Sequence, residues 1–280
     1  MKAISKVVAV LAVSALAFGM FGCSSSSEPT TTNADEAKKY TSEEIKASDI
    51  TVEKSGYSEV TQTTIDADGN EVPVPAINFA FIVKNSNAGY VAENVPFNVN
   101  GYNANGEIVF SGGANCMYIY PGIDTAVSGT TTIAPAEGID TTIAEFTVEP
   151  LMSTVEWLKT GLSDSEIASM FTVENATAER VDADLNISAT VTGDLADGDK
   201  IYKIVDLENT LEGHCIAIFT DAEGNIIFGS DSTNVLIDQA TLDSIQSTEG
   251  DDAAPMNNVS MMVQNAPEYA DFQIYVMPGL

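Results

Sequence analysis

An apolar run in the first half of the chain reads Ile77-Asn78-Phe79-Ala80-Phe81-Ile82-Val83. Positions 77, 79, 81 and 83 lie on one side of an extended chain, because successive side chains of a β-strand point to opposite faces. The same alternation recurs in residues 97–101, 185–191, 215–219 and 226–228. A period of two with many Val, Ile, Thr and Phe residues predicts strands that are half-buried on one face.

Turn-forming pairs separate these runs. The pairs are Asp68-Gly69, Asn105-Gly106, Pro121-Gly122 and Glu223-Gly224. Glycine adopts a positive φ at such turns without a steric cost, so each pair can close a connection between strands. Short strands, closely spaced turns and few helix signals predict an all-β chain built of antiparallel β-sandwiches.

Two parts of the chain resemble each other over a domain-sized distance. The matching pairs are EEIKASDITVE (43–53) with EIASMFTVE (166–174), NANGEIVF (103–110) with DAEGNIIF (221–228), and AEFTVEP (144–150) with ADFQIYVMP (270–278). A repeat of this length is typical of tandem domains. We therefore predict two immunoglobulin-like sandwich modules, at 41–150 and 164–280. Residues 151–163 are predicted to be a linker with a short helical turn, in which Trp157 fills the junction between the modules.

Helix signals are confined to the entrance of each module. Thr41 is followed three residues later by Glu44, and Ser163 is followed in the same way by Glu166. This spacing matches a capping box, in which the first side chain caps the helix and the glutamate bonds back to it. Each module is therefore predicted to begin with a short helical turn.

The N-terminus has the pattern of an exported protein. Lys2 and Lys6 precede an uncharged run, VVAVLAVSALAFGMFG, which is too short to span a membrane comfortably and fits a signal peptide at residues 1–22. Gly22 and Cys23 at its end resemble the lipobox of bacterial lipoproteins. The resemblance implies cleavage before Cys23 and a diacylglycerol on its sulfur. An ordinary secretory signal with an incidental cysteine is the alternative.

The segment after Cys23 is polar and rich in Ser and Thr, with a proline at position 29. Such a composition predicts that residues 23–40 form a disordered tether. A tether of this kind would hold a folded body away from a membrane surface. The expected location is therefore the extracytoplasmic face of the bacterial cell membrane, with the lipid on Cys23 as anchor.

The charge balance excludes several classes of partner. The chain has 41 acidic and 11 basic side chains, and the predicted signal peptide contains two of the basic ones and none of the acids, so the mature chain has a net charge of −32. Such a surface repels phosphates, which argues against nucleic acid and anionic lipid headgroups as ligands. The chain is nevertheless 44% hydrophobic, which is enough for folded cores.

Residues 81–122 resemble the FxLyD-type and related immunoglobulin-like domains of bacterial surface lipoproteins. The residues that match are Val83, Asn85, Val95, Phe97, Tyr102, Asn103, Gly106, Ile108, Pro121 and Gly122. In the second module the pattern is degraded to Phe219 and the turn at 221–224. The resemblance implies a sandwich fold and a surface location. It brings no catalytic residue.

Residues for catalysis are scarce. His214 is the single histidine, and its neighbour Cys215 cannot form a dyad with it, because adjacent strand residues point to opposite faces. The sequence has no nucleophile elbow and no phosphate-binding glycine loop. Carboxylate pairs remain as an option, but 41 acids produce such pairs by chance.

One acidic segment has the composition of a cation loop. Asp66, Asp68 and Asn70 place oxygen ligands at alternate positions with Gly69 among them. The glycine comes too early for a calcium loop, and position 77, where a bidentate glutamate belongs, is Ile77. A hairpin turn is the favoured interpretation, with a weak metal site as the alternative.

The remaining cysteines and the tyrosines allow two interpretations each. Cys116 and Cys215 are predicted to be free buried thiols, with a bridge between modules as the alternative. Tyr118 and Tyr120 share one side of a strand and are predicted to be core or half-buried cover, with an exposed platform as the alternative.

These features lead to one expectation and two alternatives. We expect a non-catalytic, membrane-anchored surface module that binds a protein or a glycan and has no cofactor besides the lipid on Cys23. A structural spacer that positions a partner in the cell envelope is the second possibility. A hydrolase that uses a carboxylate pair ranks last.

Overall fold

β-strands make up most of the computed structural model, which describes residues 38–65, 69–133, 138–193, 210–230, 233–238, 256–264 and 266–278. The described strands of the first half are β1 (Lys39–Thr41), β2 (Thr51–Ile65), β3 (Glu71–Lys84), β4 (Tyr90–Tyr102), β5 (Ile108–Ile119), β6 (Asp124–Thr132), β7 (Glu145–Pro150) and β8 (Glu156–Lys159). Those of the second half are β9 (Phe171–Val181), β10 (Asp184–Gly193), β11 (Thr210–Thr220), β12 (Ile226–Gly229), β13 (Thr233–Asp238), β14 (Met256–Val263) and β15 (Asp271–Pro278). The described helical segments are α1 (Ser42–Ile45), a 3₁₀ helix (Met152–Thr154) and α2 (Asp164–Ala168). Within the described ranges no helix is long and apolar enough to cross a membrane.

The described strands pair antiparallel in four groups, which we number as sheets 1 to 4. Sheet 1 has the order β1-β8-β4-β5 with β7 also beside β4, and sheet 2 has the order β2-β3-β6. Sheet 3 has the order β12-β11-β13 with β15 also beside β11, and sheet 4 has the order β14-β10-β9. The prediction of an all-β, antiparallel fold is confirmed.

The first hydrophobic core lies between sheets 1 and 2. Positions 77, 79, 81 and 83 of β3 all face it, as their alternation predicts. They meet β4 of sheet 1, where the rings of Phe81 and Phe97 lie 4.9 Å apart between centroids. Trp157 is fully buried in the same core and donates from its ring nitrogen to Ser42 Oγ at 2.8 Å. The prediction that Trp157 fills the junction between modules is therefore wrong, because β8 carries it into the first core.

The second core lies between sheets 3 and 4. Leu185, Ile187 and Val191 of β10 face Ala217 and Phe219 of β11 in one buried cluster. The alternation within residues 185–191 predicts this face. The same cluster continues to α2 and to the near end of sheet 1.

The central strand of sheet 2, β3, is buried on both of its faces from Ala76 to Val83. While odd-numbered residues of β3 face the first core, Ala80 and Ile82 pack against Ile216, Ile218 and Ile226 of sheet 3. The prediction that this run is half-buried on one face is wrong. The physical reason is that the run is apolar at nearly every position, which suits a strand covered on both sides.

Residues 151–163, predicted as a linker, contain the 3₁₀ helix and also β8. β8 pairs with β1 on one side and with β4 on the other, so this segment is an inner strand of sheet 1. The described residues lie in one compact unit. The module boundaries at 41–150 and 164–280 stay a prediction.

Both predicted capping boxes are present. Thr41 Oγ1 accepts from the Glu44 backbone N–H at 3.3 Å, and the Glu44 carboxylate accepts from the Thr41 N–H at 2.8 Å. Ser163 and Glu166 repeat the pattern at 3.3 Å and 2.7 Å before α2. These caps satisfy backbone donors that a helix of four or five residues would leave unpaired.

Two hairpin turns that match in the internal repeat also have matching hydrogen bonds. In the first, Asn103 Oδ1 accepts from the N–H groups of Asn105 and Glu107, each at 3.0 Å. In the second, Asp221 Oδ1 accepts from the N–H groups of Glu223 and Asn225, at 3.0 and 2.8 Å. In the first hairpin the amide comes before the carboxylate in sequence, since Asn103 donates to Glu107. In the second the order is reversed, since Asn225 donates to Asp221.

Candidate functional site

The face of sheet 1 that points away from the first core carries an unusual set of uncharged polar side chains. Phe97 and Val99 of β4 point into the core, so Asn98 and Asn100 lie on the opposite face. Asn98 stands opposite Gly113 on β5 and Glu149 on β7, and Asn100 stands opposite Ser111 and Thr147. We name as the amide patch the residues Asn98, Asn100, Ser111, Gly113, Asn115 and Thr147.

The amides of this patch are available for a ligand. Asn98 and Asn115 are exposed and Asn100 is half-buried. Within the described ranges, none of these three side chains makes a hydrogen bond or an ion pair. Each amide offers two donor hydrogens and an acceptor oxygen. The patch therefore presents several donors and acceptors without a net charge of its own.

An ion triad lies on the same face, nearer the other end of sheet 1. Lys39 Nζ lies 2.5 Å from Glu93 Oε2 and 2.8 Å from Glu156 Oε2. Glu93 is buried, whereas Lys39 and Glu156 are about half exposed. Hydrogen bonds to Glu156 and then Glu93 raise the pKa of Lys39 well above its ordinary value. Lys39 thus neutralises a carboxylate that would otherwise be buried without a partner.

Tyr118 borders the triad. Its ring is half-buried against the second core, and burial, followed by the charge of Glu93, raises the pKa of its hydroxyl. Tyr120, the residue after the end of β5, is fully buried, and its ring centroid lies 6.5 Å from that of Tyr118. The prediction of core and half-buried cover is confirmed for this pair.

The paired carboxylates have a structural role. Glu93 and Glu156 are cross-strand neighbours on β4 and β8, which is the close pairing that a carboxylate mechanism requires. Both bind Lys39, and this shared cation holds them as ion pairs.

Of the other residues that the sequence singles out, the described residues Asn70, His214 and Cys215 lie apart from this face. Cys23, Asp66 and Asp68 are outside the described residues, so lipidation and the weak metal site stay predictions. Asn70 is exposed just before β3. Among the described residues, no three His, Cys, Asp or Glu side chains come together that could hold a metal ion. Cys215 faces the second core, so His214 beside it points to the other face of β11.

The two cysteines of the described chain are free thiols. Burial raises the pKa of both Cys116 and Cys215 to about 12. A thiol with so high a pKa stays protonated at neutral pH and is a poor nucleophile. The prediction of free thiols is confirmed, and the alternative of a bridge between modules is wrong.

The amide patch is the feature that sequence reasoning missed. The signal is present in residues 95–103, VPFNVNGYN, where asparagines alternate with core residues. Asparagine is depleted in strands, so its repeated use on one face of a strand indicates a task other than folding. The contribution of β5 and β7 could not be found in the same way, since it depends on register.

No family model matches this sequence, and no curated protein matches it at a significant level. Among solved structures, the chain is similar to the N-terminal CBM22-1-CBM22-2 tandem domain of Xyn10C from Paenibacillus barcinonensis, with 9% sequence identity and a TM-score of 0.16. The alignment covers 90% of this chain and 92% of that chain. At this TM-score the likeness carries no argument about function.

Proposed function

We propose that this protein is a lipid-anchored, extracytoplasmic binding protein without catalytic activity, and that the amide patch binds an uncharged glycan. The observation that carries the proposal is the set of three side-chain amides on one open sheet face, none of them bonded within the described chain. Exposed amides with no structural partner are free to exchange their water contacts for contacts with a ligand.

The chemistry of the face favours a neutral sugar over other ligands. Sugar hydroxyls both donate and accept hydrogen bonds, as the amides do, and a tyrosine ring edge at each end can pack against a pyranose face. Tyr102 and Tyr118 are the half-buried rings in these positions. Glu145, Glu149 and the acidic character of the whole chain oppose anionic ligands.

Export and anchoring rest on the sequence pattern at Cys23. Each buried CH₂ of an acyl chain contributes roughly 0.8 kcal/mol, and two chains hold a protein on a membrane where one exchanges. Fourteen residues lie between Cys23 and Lys38, the first residue that the structure describes. A fully extended segment of this length reaches at most about 50 Å, which bounds the height of the folded body above the membrane.

Calorimetric titration of the mature chain with neutral polysaccharides tests the binding proposal. We expect heat of binding with at least one of xylan, β-glucan or mannan, and at least a tenfold loss of affinity in the double variant Asn98→Ala/Asn100→Ala. The matched control is Asn186→Ala, an exposed asparagine on β10 in sheet 4. Equal affinity in the double variant and the control would assign the glycan to another surface, and no binding by any chain would reject the proposal.

Metabolic labelling with palmitate in a bacterial host tests the anchor. We expect label on the wild-type chain and none on Cys23→Ala, with the variant released into the medium. Label retained by Cys23→Ala would reject lipidation at this residue.

A spacer role is the second candidate, and the contact between sheets 2 and 3 favours it. Gly56 and Gly229 bring the two sheets so close that a Cβ on Gly56 would lie 1.8 Å from the Ile226 carbonyl oxygen. Such contact makes a stiff body rather than a hinge. In a chain whose other cysteines are replaced by alanine, fluorescence of Trp157 and thiol reactivity of Cys215 report the first and second cores separately. Coincident unfolding by both probes supports the spacer, whereas two separated transitions count against it.

A further inference from the structure

The outer edge of β5 is an open strand edge. Pro96 O accepts from Leu151 N at 2.8 Å and Tyr102 O accepts from Ala144 N at 2.7 Å, so even-numbered residues of β4 direct their backbone groups away from β5. Asn98 stands opposite Gly113 in this register. The backbone groups of Gly113 therefore point away from β4 as well.

Alternate residues of a strand direct their backbone N–H and C=O groups to the same side, so those of Ser111, Asn115 and Met117 also point away from β4. Within the described ranges, no strand pairs with this side of β5. These outward backbone groups form an open row, which ends at Ile119, because the Ile119 carbonyl accepts a hydrogen bond from Asn85 Nδ2 at 2.8 Å. The open row extends from Ser111 to Met117, a length of about 20 Å at 3.4 Å per residue.

β5 lacks the features by which other edges of this fold avoid pairing. Beyond the end of β6, the open side of β3 carries Pro73 and Pro75, which have no N–H to donate. β2 and β9 carry charged side chains along their length. By contrast, residues 108–119 read IVFSGGANCMYI, without a charge or a proline. A long edge of this kind is a template for an added strand.

Space is also available at the centre of the edge. Gly112 and Gly113 carry no side chain, and a Cβ on Gly113 would have only Phe97 O within 4 Å, at 3.5 Å. A Cβ on Gly112 would lie 3.1 Å from Thr131 Cβ, so the free space is on the Gly113 side of the strand. A second backbone can approach the edge closely beside Gly113 because that residue adds no side chain there.

We propose that the outer edge of β5 accepts an extended segment of a partner protein as an additional antiparallel strand of sheet 1, and that this segment is uncharged at its centre and basic at its ends. The open backbone row recognises a strand by its own N–H and C=O groups. The charge of the chain selects basic flanks, because Glu107 lies next to β5 and the mature chain carries −32. The same charge opposes a second copy as the occupant.

The probe is a fluorescein-labelled peptide with a Thr-Val-Thr-Val-Thr centre and two lysines at each end, added to the mature chain at low salt. We expect saturable binding by fluorescence polarisation that weakens at least tenfold between 50 and 500 mM NaCl. A peptide with glutamates in place of the lysines is expected to bind at least tenfold more weakly. Absence of binding, or equal binding of the two peptides, would overturn the proposal.

The matched variants are Gly113→Pro and Gly113→Ala. Proline removes the outward N–H without removing a bond to β4, whereas alanine keeps that N–H. We expect at least a tenfold loss of peptide affinity in Gly113→Pro and less than a twofold change in Gly113→Ala. Circular dichroism establishes that both are folded.

Amide hydrogen exchange supplies a readout that does not depend on the variants. The N–H groups of Ser111, Gly113, Asn115 and Met117 are expected to exchange quickly in the free chain and to become protected when the peptide binds. Protection confined to another strand would overturn the proposal. Protection that requires only a higher concentration of the chain itself, with a dimer in sedimentation equilibrium, would assign the edge to a second copy and overturn it as well.

Discussion

Asn78 and Gly229 form two reciprocal hydrogen bonds across the contact between sheets 2 and 3, and the side-chain amide of Asn78 takes the place of a backbone amide. Asn78 Nδ2 donates to the Gly229 carbonyl at 3.0 Å, and the Gly229 N–H donates to Asn78 Oδ1 at 2.9 Å. Asn78 is buried and lies between two apolar neighbours of β3. The side chain therefore serves as a hydrogen-bonded link between the two halves of the chain, and Ser128 Oγ adds a second link by donating to the Ser230 carbonyl.

Replacing this amide is expected to weaken the contact strongly. Asn78→Ala leaves the buried N–H and C=O of Gly229 without partners, and each unpaired group costs about 1–3 kcal/mol. We expect a loss of about 3 kcal/mol in the free energy of unfolding, measured by urea denaturation. Asn98→Ala, an exposed amide without an internal bond, is the control and is expected to change stability by less than about 0.5 kcal/mol. Similar losses in both variants would contradict the role of the pair.

Gly56 lies so close to the backbone of Ile226 that we expect no larger residue to fit at this position. In Gly56→Ala the new Cβ would overlap the backbone of Ile226, which belongs to β12 and cannot move aside as a flexible side chain can. We expect a loss of about 3 kcal/mol or more in thermal or urea unfolding, the upper range for overpacking. Gly161→Ala is the matched control, because nothing lies within 4 Å of its Cβ position. If the two alanines have the same effect, sheets 2 and 3 are farther apart than described.

The Asp221 hairpin is expected to weaken in acid. Hydrogen bonds from the Asn225 side chain and then from backbone N–H groups hold the pKa of Asp221 below its ordinary value. A carboxyl whose folded pKa is lowered stabilises the fold above its unfolded pKa, and this contribution is lost as pH falls through the folded pKa. We expect the urea concentration at the unfolding midpoint to fall when the pH is lowered below about 4. This fall is expected to be smaller in Asp221→Asn than in Asp49→Asn. The same acid response in both variants would contradict this prediction.

The buried thiol of Cys215 is expected to destabilise the fold in alkali. Its pKa is raised to about 12 by burial, so the unfolded chain loses this proton at a lower pH than the folded chain does. The stabilisation is complete below the unfolded pKa and is lost as pH rises through the folded pKa. Between pH 7.5 and 10 we expect Cys215 to account for a loss of about 2 kcal/mol that Cys215→Ala does not show.

Val191→Ala separates this titration from simple loss of packing. Val191 lies in the same core and has no titrating group, so its truncation is expected to lower stability by the same amount at both pH values. An equal pH dependence in Cys215→Ala and the wild type would show that the thiol does not titrate as described.

Local chemistry explains which features could be predicted. A capping box needs only two side chains three residues apart, so Thr41 with Glu44 and Ser163 with Glu166 were found from spacing alone. The inward face of β3 follows from alternation in the same way. β8 and Trp157 were misassigned because their role depends on strands far away in the chain, which no local pattern describes.

By itself, the sequence determined the strand-rich character, the antiparallel turns, the helix caps and the face of each strand that enters its own core. These features depend on a few neighbouring residues and on the period of two of an extended chain. Only the tertiary structure decided that β3 is covered on both faces, that Asn78 reaches Gly229, and that amides from β4 and β5 form one patch on sheet 1. Such relationships join residues distant in sequence, and register and sheet packing, which set them, are properties of the whole folded chain.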